Sequence, residues 1–258
     1  MKRTVFYFSC LLLFVGLGLA AEDDKGKASV KVVGLEIHRS NPDDQIMIFN
    51  PGTSVTVLLS QPGKSILGLD AKASKLETFA DDKKTDLTKT KSAFGREWLN
   101  AVFLRFNKDN SQCVFQMYAP GTPVEGADKV FVKANLAVLC GKEEKVVEQK
   151  NAALKVGDKA TLDAIEMNVQ KGFPEGKAVT VVFTTPDRSI KTIEFIDSKG
   201  KAINQVFTNT NFLTFPKPQC QTICSLSAPA EPVTIKVTYF SKTETIMAPV
   251  DLRFGVGF

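Results

Sequence analysis

Chemistry in this chain has few places to reside: Cys113, Cys140, Cys220 and Cys224, one histidine at His38, and one tryptophan at Trp98, the fifth cysteine, Cys10, lying in an apolar N-terminal run expected to be cleaved. Thiols pair as disulfides, attack as thiolates or ligate metal. Cys220 and Cys224 form a C-x3-C pair, whereas a redox site would favour C-x-x-C between a strand and a helix. Two thiols in each half of the chain are too sparse for a zinc cluster unless both halves share one. The expectation is therefore two structural disulfides, although four cysteines allow three connectivities. Residues 113–119 and 130–140 read as consecutive strands joined by a loop, which favours Cys113–Cys140. That leaves Cys220–Cys224. An extended strand would hold those two ~13 Å apart, so their bond requires a turn at Gln221-Thr222-Ile223, with Pro216 and Pro218 just before it.

His38 follows Leu35-Glu36-Ile37, and nothing near it resembles a nucleophile elbow or a Cys/His pair. It reads as a strand-end residue. Asn41-Pro42-Asp43-Asp44 and Asp81-Asp82 with Asp86 carry oxygens suited to calcium, but neither has the spacing of a calcium loop, and Asp is common in turns. No metal, cofactor or catalytic residue is expected. Trp98, two residues after Arg96, lies in a 88–112 stretch that the second half of the chain lacks. It reads first as a core plug beneath a long loop. As a binding site, Trp98 and Arg96 are the candidates, the indole stacking on a sugar or a partner side chain.

These residues must be placed by the rest of the chain. Lys2-Arg3, the apolar run to Leu19, and the small residues Gly18 and Ala20 make residues 1–20 a secretory signal peptide, with residues 21–27 as a short tail. The protein is expected to be exported, to a periplasmic, cell-surface or extracellular destination, with no transmembrane segment after cleavage. Of 258 residues, 33 are Lys or Arg and 28 Asp or Glu, and the charges are interspersed. Nothing tracks phosphates, so nucleic acid is not an expected partner. Most Phe residues remain beside the single Trp after cleavage, a balance that suits core packing better than sugar platforms.

The strongest pattern is internal. Gly52-Thr53-Ser54-Val55-Thr56-Val57 through Pro62-Gly63-Lys64-Ser65-Ile66 recurs as Gly176-Lys177-Ala178-Val179-Thr180-Val181 through Pro186-Asp187-Arg188-Ser189-Ile190. Further echoes follow in order: Leu35-Glu36-Ile37 with Ile165-Glu166-Met167, Phe79-Ala80-Asp81 with Phe195-Ile196-Asp197, and Val132-Lys133-Ala134 with Ile235-Lys236-Val237. Leu154-Lys155-Val156-Gly157 with Leu252-Arg253-Phe254-Gly255 closes the series. Collinear matches at drifting offsets indicate two units, 28–157 and 158–258, related by duplication with different loop lengths.

Each unit reads as short β-branched strands separated by turns such as Pro62-Gly63, Pro120-Gly121 and Ser198-Lys199-Gly200. Terminal hairpins are expected at Gly141-Lys142-Glu143-Glu144 and Lys242-Thr243-Glu244. The fold class is all-β, as two tandem sandwiches. Each unit resembles the immunoglobulin-like β-sandwiches repeated in bacterial exported proteins, a likeness that implies a fold and no activity. The function expected is non-enzymatic binding or cell-envelope structure, with loops presented to a protein partner or envelope component. The alternative is a carbohydrate or small-ligand module using the 88–112 insertion.

Overall fold

Alternating buried and exposed positions set the strands of this protein. In a computed structural model, residues 26–39, 51–90, 97–172, 178–213, 219–227 and 232–256 are described, apart from the side chains of 102 and 103. The regular elements among those residues are strands: β1 (Ser29–His38), β2 (Gly52–Ser60), β3 (Ile66–Asp81), β4 (Leu99–Phe106), β5 (Gln112–Ala119), β6 (Lys129–Ala152), β7 (Lys159–Leu162), β8 (Ile165–Lys171), β9 (Ala178–Thr185), β10 (Ile190–Ile196), β11 (Gln205–Leu213), β12 (Gln219–Ser227) and β13 (Val233–Gly255). The chain is all-β, and every pairing among these strands is antiparallel.

Three sheets result, ordered β1-β2-β5-β4, β10-β13-β6-β3 and β11-β12-β9-β8-β7. The middle sheet is built on β6 and β13, of 24 and 23 residues, which pair along nearly their whole length. One half of it packs on the first sheet. There Val130, Val132, Leu136 and Val138 of β6 share a core with Ala248, Val250 and Leu252 of β13 and with Val57, Phe115 and Met117 opposite. The other half packs on the third sheet, where Val233, Ile235, Val237 and Tyr239 of β13 join Ala152 and Leu154 against Val181, Phe183 and Leu226. Phe79, Phe115, Phe183 and Phe195 are fully buried, and each such side chain contributes ~1.5–3 kcal/mol relative to exposure.

The two hairpins expected at Gly141–Glu144 and Lys242–Glu244 are absent, because both segments continue as strand. Residues 142–146 are exposed, since they cross from one core to the other and face neither. Their charge therefore marks a span between cores. Each sandwich is completed by the last strand segment of the opposite half of the chain. The sequence units and the packed units differ in that segment.

The first and third sheets share a strand order, β1-β2-β5-β4 against β8-β9-β12-β11, with β7 added at one edge of the third. The turns after β3 and β10 match bond for bond. Asp81 accepts the N–H of Lys83 (3.0 Å) and Thr85 (2.8 Å), and Asp197 accepts those of Lys199 (2.9 Å) and Lys201 (2.8 Å). Phe79 lies opposite Val132, and Phe195 opposite Ile235. Two of the sequence echoes do not superpose. Val57 is opposite Val32 and its counterpart Val181 is opposite Val169, so Leu35-Glu36-Ile37 falls several residues beyond the counterpart of Ile165-Glu166-Met167. Leu252 lies opposite Val132 whereas Ile235 lies opposite Gln149, so Leu252 corresponds in position to Gln149 instead of Leu154.

Candidate functional site

Cys113 stands at the start of β5 opposite Leu59, and Cys140 on β6 opposite Ile66. The short corner 61–65 joins β2 to β3, and it is tied to the β4–β5 hairpin by Gln61 N–H to Ser111 C=O (2.8 Å) and Ile66 N–H to Asn110 C=O (2.7 Å). Both thiols therefore enter the same end of the first core, from opposing sheets. The side-by-side placement expected from consecutive strands is replaced by this face-to-face one. Burial pushes the Cys113 thiol up to about 12, and the Cys140 charge adds to the rise. Burial likewise raises Cys140 to about 11, with Lys64 opposing and Glu244 adding. Lys64 and Glu244 are ion-paired above it at 2.5 Å.

The expected Cys220–Cys224 disulfide is excluded by the backbone. Residues 219–227 run as unbroken strand, and Gln221, Thr222 and Ile223 pair on both sides, with β11 and with β9. Four residues of strand separate the two thiols by ~13 Å, beyond the ~7 Å Cα limit for a bridge. Period-two burial at Cys220, Thr222, Cys224 and Leu226 is what sends both thiols into the core. All four described cysteines are free and buried. Burial raises Cys220 and Cys224 to about 11, so at neutral pH they are thiols and not nucleophilic thiolates.

Trp98 packs half-buried against the first core, and its carbonyl accepts the Tyr118 N–H at 2.7 Å. Arg96 lies outside the described residues. Within the 88–112 stretch residues 99–106 are strand: β4 is the edge of its sheet and holds the place that β11 holds in the third sheet. The stretch expected as an insertion thus supplies an edge strand, and the third sheet has an edge strand in the same place. His38 ends β1 with Nε2 3.6 Å from Glu36 Oε2. Asp81 is buried with its oxygens accepting N–H groups from Lys83, Thr85 and Val124. Its carboxyl is pushed up by burial, but these hydrogen bonds outweigh that and hold it below the usual range. The segment 41–44 lies outside the described residues. Among the described residues no three His, Cys, Asp or Glu side chains converge as a metal site.

Sequence reasoning passed over two features. Arg188, at the β9–β10 corner, lays its guanidinium 4.3 Å from the Phe106 ring at the end of β4, so the second sandwich is latched to the first. The second feature is β11. Val206 (71% exposed), Phe207 (52%) and Phe212 (38%) put three large apolar side chains on one edge strand. The other five edge strands each carry charge, at Lys31 and Glu36 in β1, Lys72 and Glu77 in β3, Arg105 in β4, Lys159 in β7, and Lys191 and Glu194 in β10. β11 carries none, like the flanked strands β2, β5, β9 and β12. Charge on an edge blocks pairing with other chains, and β11 has the composition of an interior strand. The signal was legible as Gln205-Val206-Phe207-Thr208-Asn209-Thr210-Asn211-Phe212-Leu213, but nothing in that run says which strands become edges.

Comparison with protein-family models, curated proteins and solved structures gives no match for this chain.

Proposed function

We propose that this is an exported, non-enzymatic protein of binding or cell-envelope structure, which engages an extended segment of a protein partner along β11. The carrying observation is that uncharged edge with its exposed Val206, Phe207 and Phe212. An added strand would satisfy the outward main-chain N–H and C=O groups of β11 and cover the apolar side chains. The scaffold reading is of two immunoglobulin-like sandwiches arising by duplication. Supporting it is the order β1-β2-β5-β4 facing β3-β6-β13, which matches the ABED and CFG sheets of that fold. In this reading the seventh strand of each sandwich comes from the other half of the chain. Cys113 and Cys140 are then the one pair that an oxidising compartment would join, with loss of two hydrogens. No observation favours the glycan alternative, because Trp98 is packed on the core.

Fractionation of the producing cells tests the reading. The wild-type protein is expected with the envelope fraction, and Phe207→Ser is expected to release it while leaving the exported amount unchanged. Equal retention of the variant, or a wild type found wholly in the soluble fraction, overturns it.

A further inference from the structure

Resting on that reading of β11 as a docking edge, we propose that its occupant is β11 of a second copy, joined antiparallel about a two-fold axis perpendicular to the sheet. From Val206 to Leu213 the strand reads two apolar residues, four polar residues and two apolar residues. Antiparallel pairing reverses the order of the second strand, so the outward-facing residues Phe207, Asn209, Asn211 and Leu213 meet their own order reversed, apolar ends on apolar ends and polar pair on polar pair. Charge agrees: a strand bearing a charge near its middle would place that charge against its own copy, and β11 bears none.

Faces also agree. Thr208, Thr210 and Phe212 lie opposite the buried Cys224, Thr222 and Cys220, so these three share the core side. Phe207, Asn209, Asn211 and Leu213 occupy the outer side. Directly opposed residues in an antiparallel pair share a face, so the centre of symmetry must fall on a residue. Centred on Thr210, the pairing sets Phe207 opposite Leu213 of the second copy and Asn209 opposite its Asn211 on the outer side, with Thr208 opposite its Phe212 on the core side. Each contact is made twice, as an isologous interface requires. The polar side chains are already ordered for it. The Asn209 amide donates to Asn211 Oδ1 at 2.9 Å, and the Thr208 hydroxyl to Gln205 Oε1 at 2.5 Å. Two five-stranded sheets would become one continuous sheet.

Sedimentation of the purified exported chain alone tests this. Wild type is expected to move from monomer to dimer mass as concentration rises through the micromolar range. The double variant Asn209→Lys/Asn211→Lys sets four ammonium groups together at the seam and should weaken association about tenfold or more. Both positions are exposed, and an unchanged circular dichroism melt confirms that the variant is folded. Mixing it with Asn209→Glu/Asn211→Glu should restore a dimer, made only between unlike partners. A wild type that stays monomeric to ~100 μM, or a Lys variant that dimerises like wild type, overturns the self-pairing. If envelope retention still depends on Phe207 in that case, the partner-binding reading stands without it. If retention ignores Phe207 too, both fall.

Discussion

Tyr239 carries its hydroxyl to the rim of the second core, where it donates to Asp163 Oδ2. Asp163 sits at φ 57° in the β7–β8 turn, with Lys145 Nζ 4.0 Å from the same oxygen. That hydrogen bond, aided by burial and by the carboxylate charge, raises the phenol to about 12. A phenol raised above its unfolded value of ~10 adds stability that is complete below pH ~10 and is lost as pH climbs through the folded value. Absorbance titration at 295 nm should therefore show one phenol ionising near pH 12, and Asp163→Asn should bring it down. A wild type whose tyrosines all titrate near pH 10 would contradict the bond. At this scale the sequence was legible where burial follows period two. It was opaque for Cys220 and Cys224, whose neighbouring prolines suggested a turn that unbroken pairing with β9 and β11 removes.

Among elements, the crossing of β6 and β13 between the cores is the least forgiving. A Cβ on Gly141 would lie 2.4 Å from Cγ of the Phe240 ring, so the ring occupies the space that a side chain would fill. The corners repeat around it: Gly141 N–H donates to Ser65 C=O and Phe240 N–H to Ser189 C=O, both at 2.9 Å. Gly141→Ala should cost ~1–3 kcal/mol by overpacking, read as a lower urea midpoint. Gly68→Ala, whose new Cβ meets nothing within 4 Å, serves as the comparison and should move the midpoint little. Equal midpoints for the two variants would mean that Phe240 yields freely. Strands such as β2 and β9 were legible from Val-Thr-Val alone. The crossing was not, because a strand segment that faces no core is as polar as a turn.

For the whole molecule, continuity of β6 and β13 couples the two cores. Neither sandwich can lose these strands without exposing Ala248, Val250 and Leu252 of one core or Val233, Ile235 and Val237 of the other. Unfolding should be a single transition in urea. Trp98 fluorescence, which reports the first core, should coincide with far-ultraviolet circular dichroism, which reports every strand. Separated midpoints would show two independent bodies. The first and third sheets share a strand order, but the exchange of last segments was invisible in the echoes around Val55-Thr56-Val57, because a sequence echo carries no statement of which core a strand joins.

The path of the chain has a mechanical result. Gly26 C=O accepts from Gln61 Nε2 at 2.9 Å, and Val256 N–H donates to Asp128 C=O at 2.9 Å, so the first and last described residues are both anchored on the first sandwich. Tension applied between them runs through that sandwich alone. The second sandwich, with β11 on its edge, rides as an unloaded overhang, held out on two long strands like the head of a bracket.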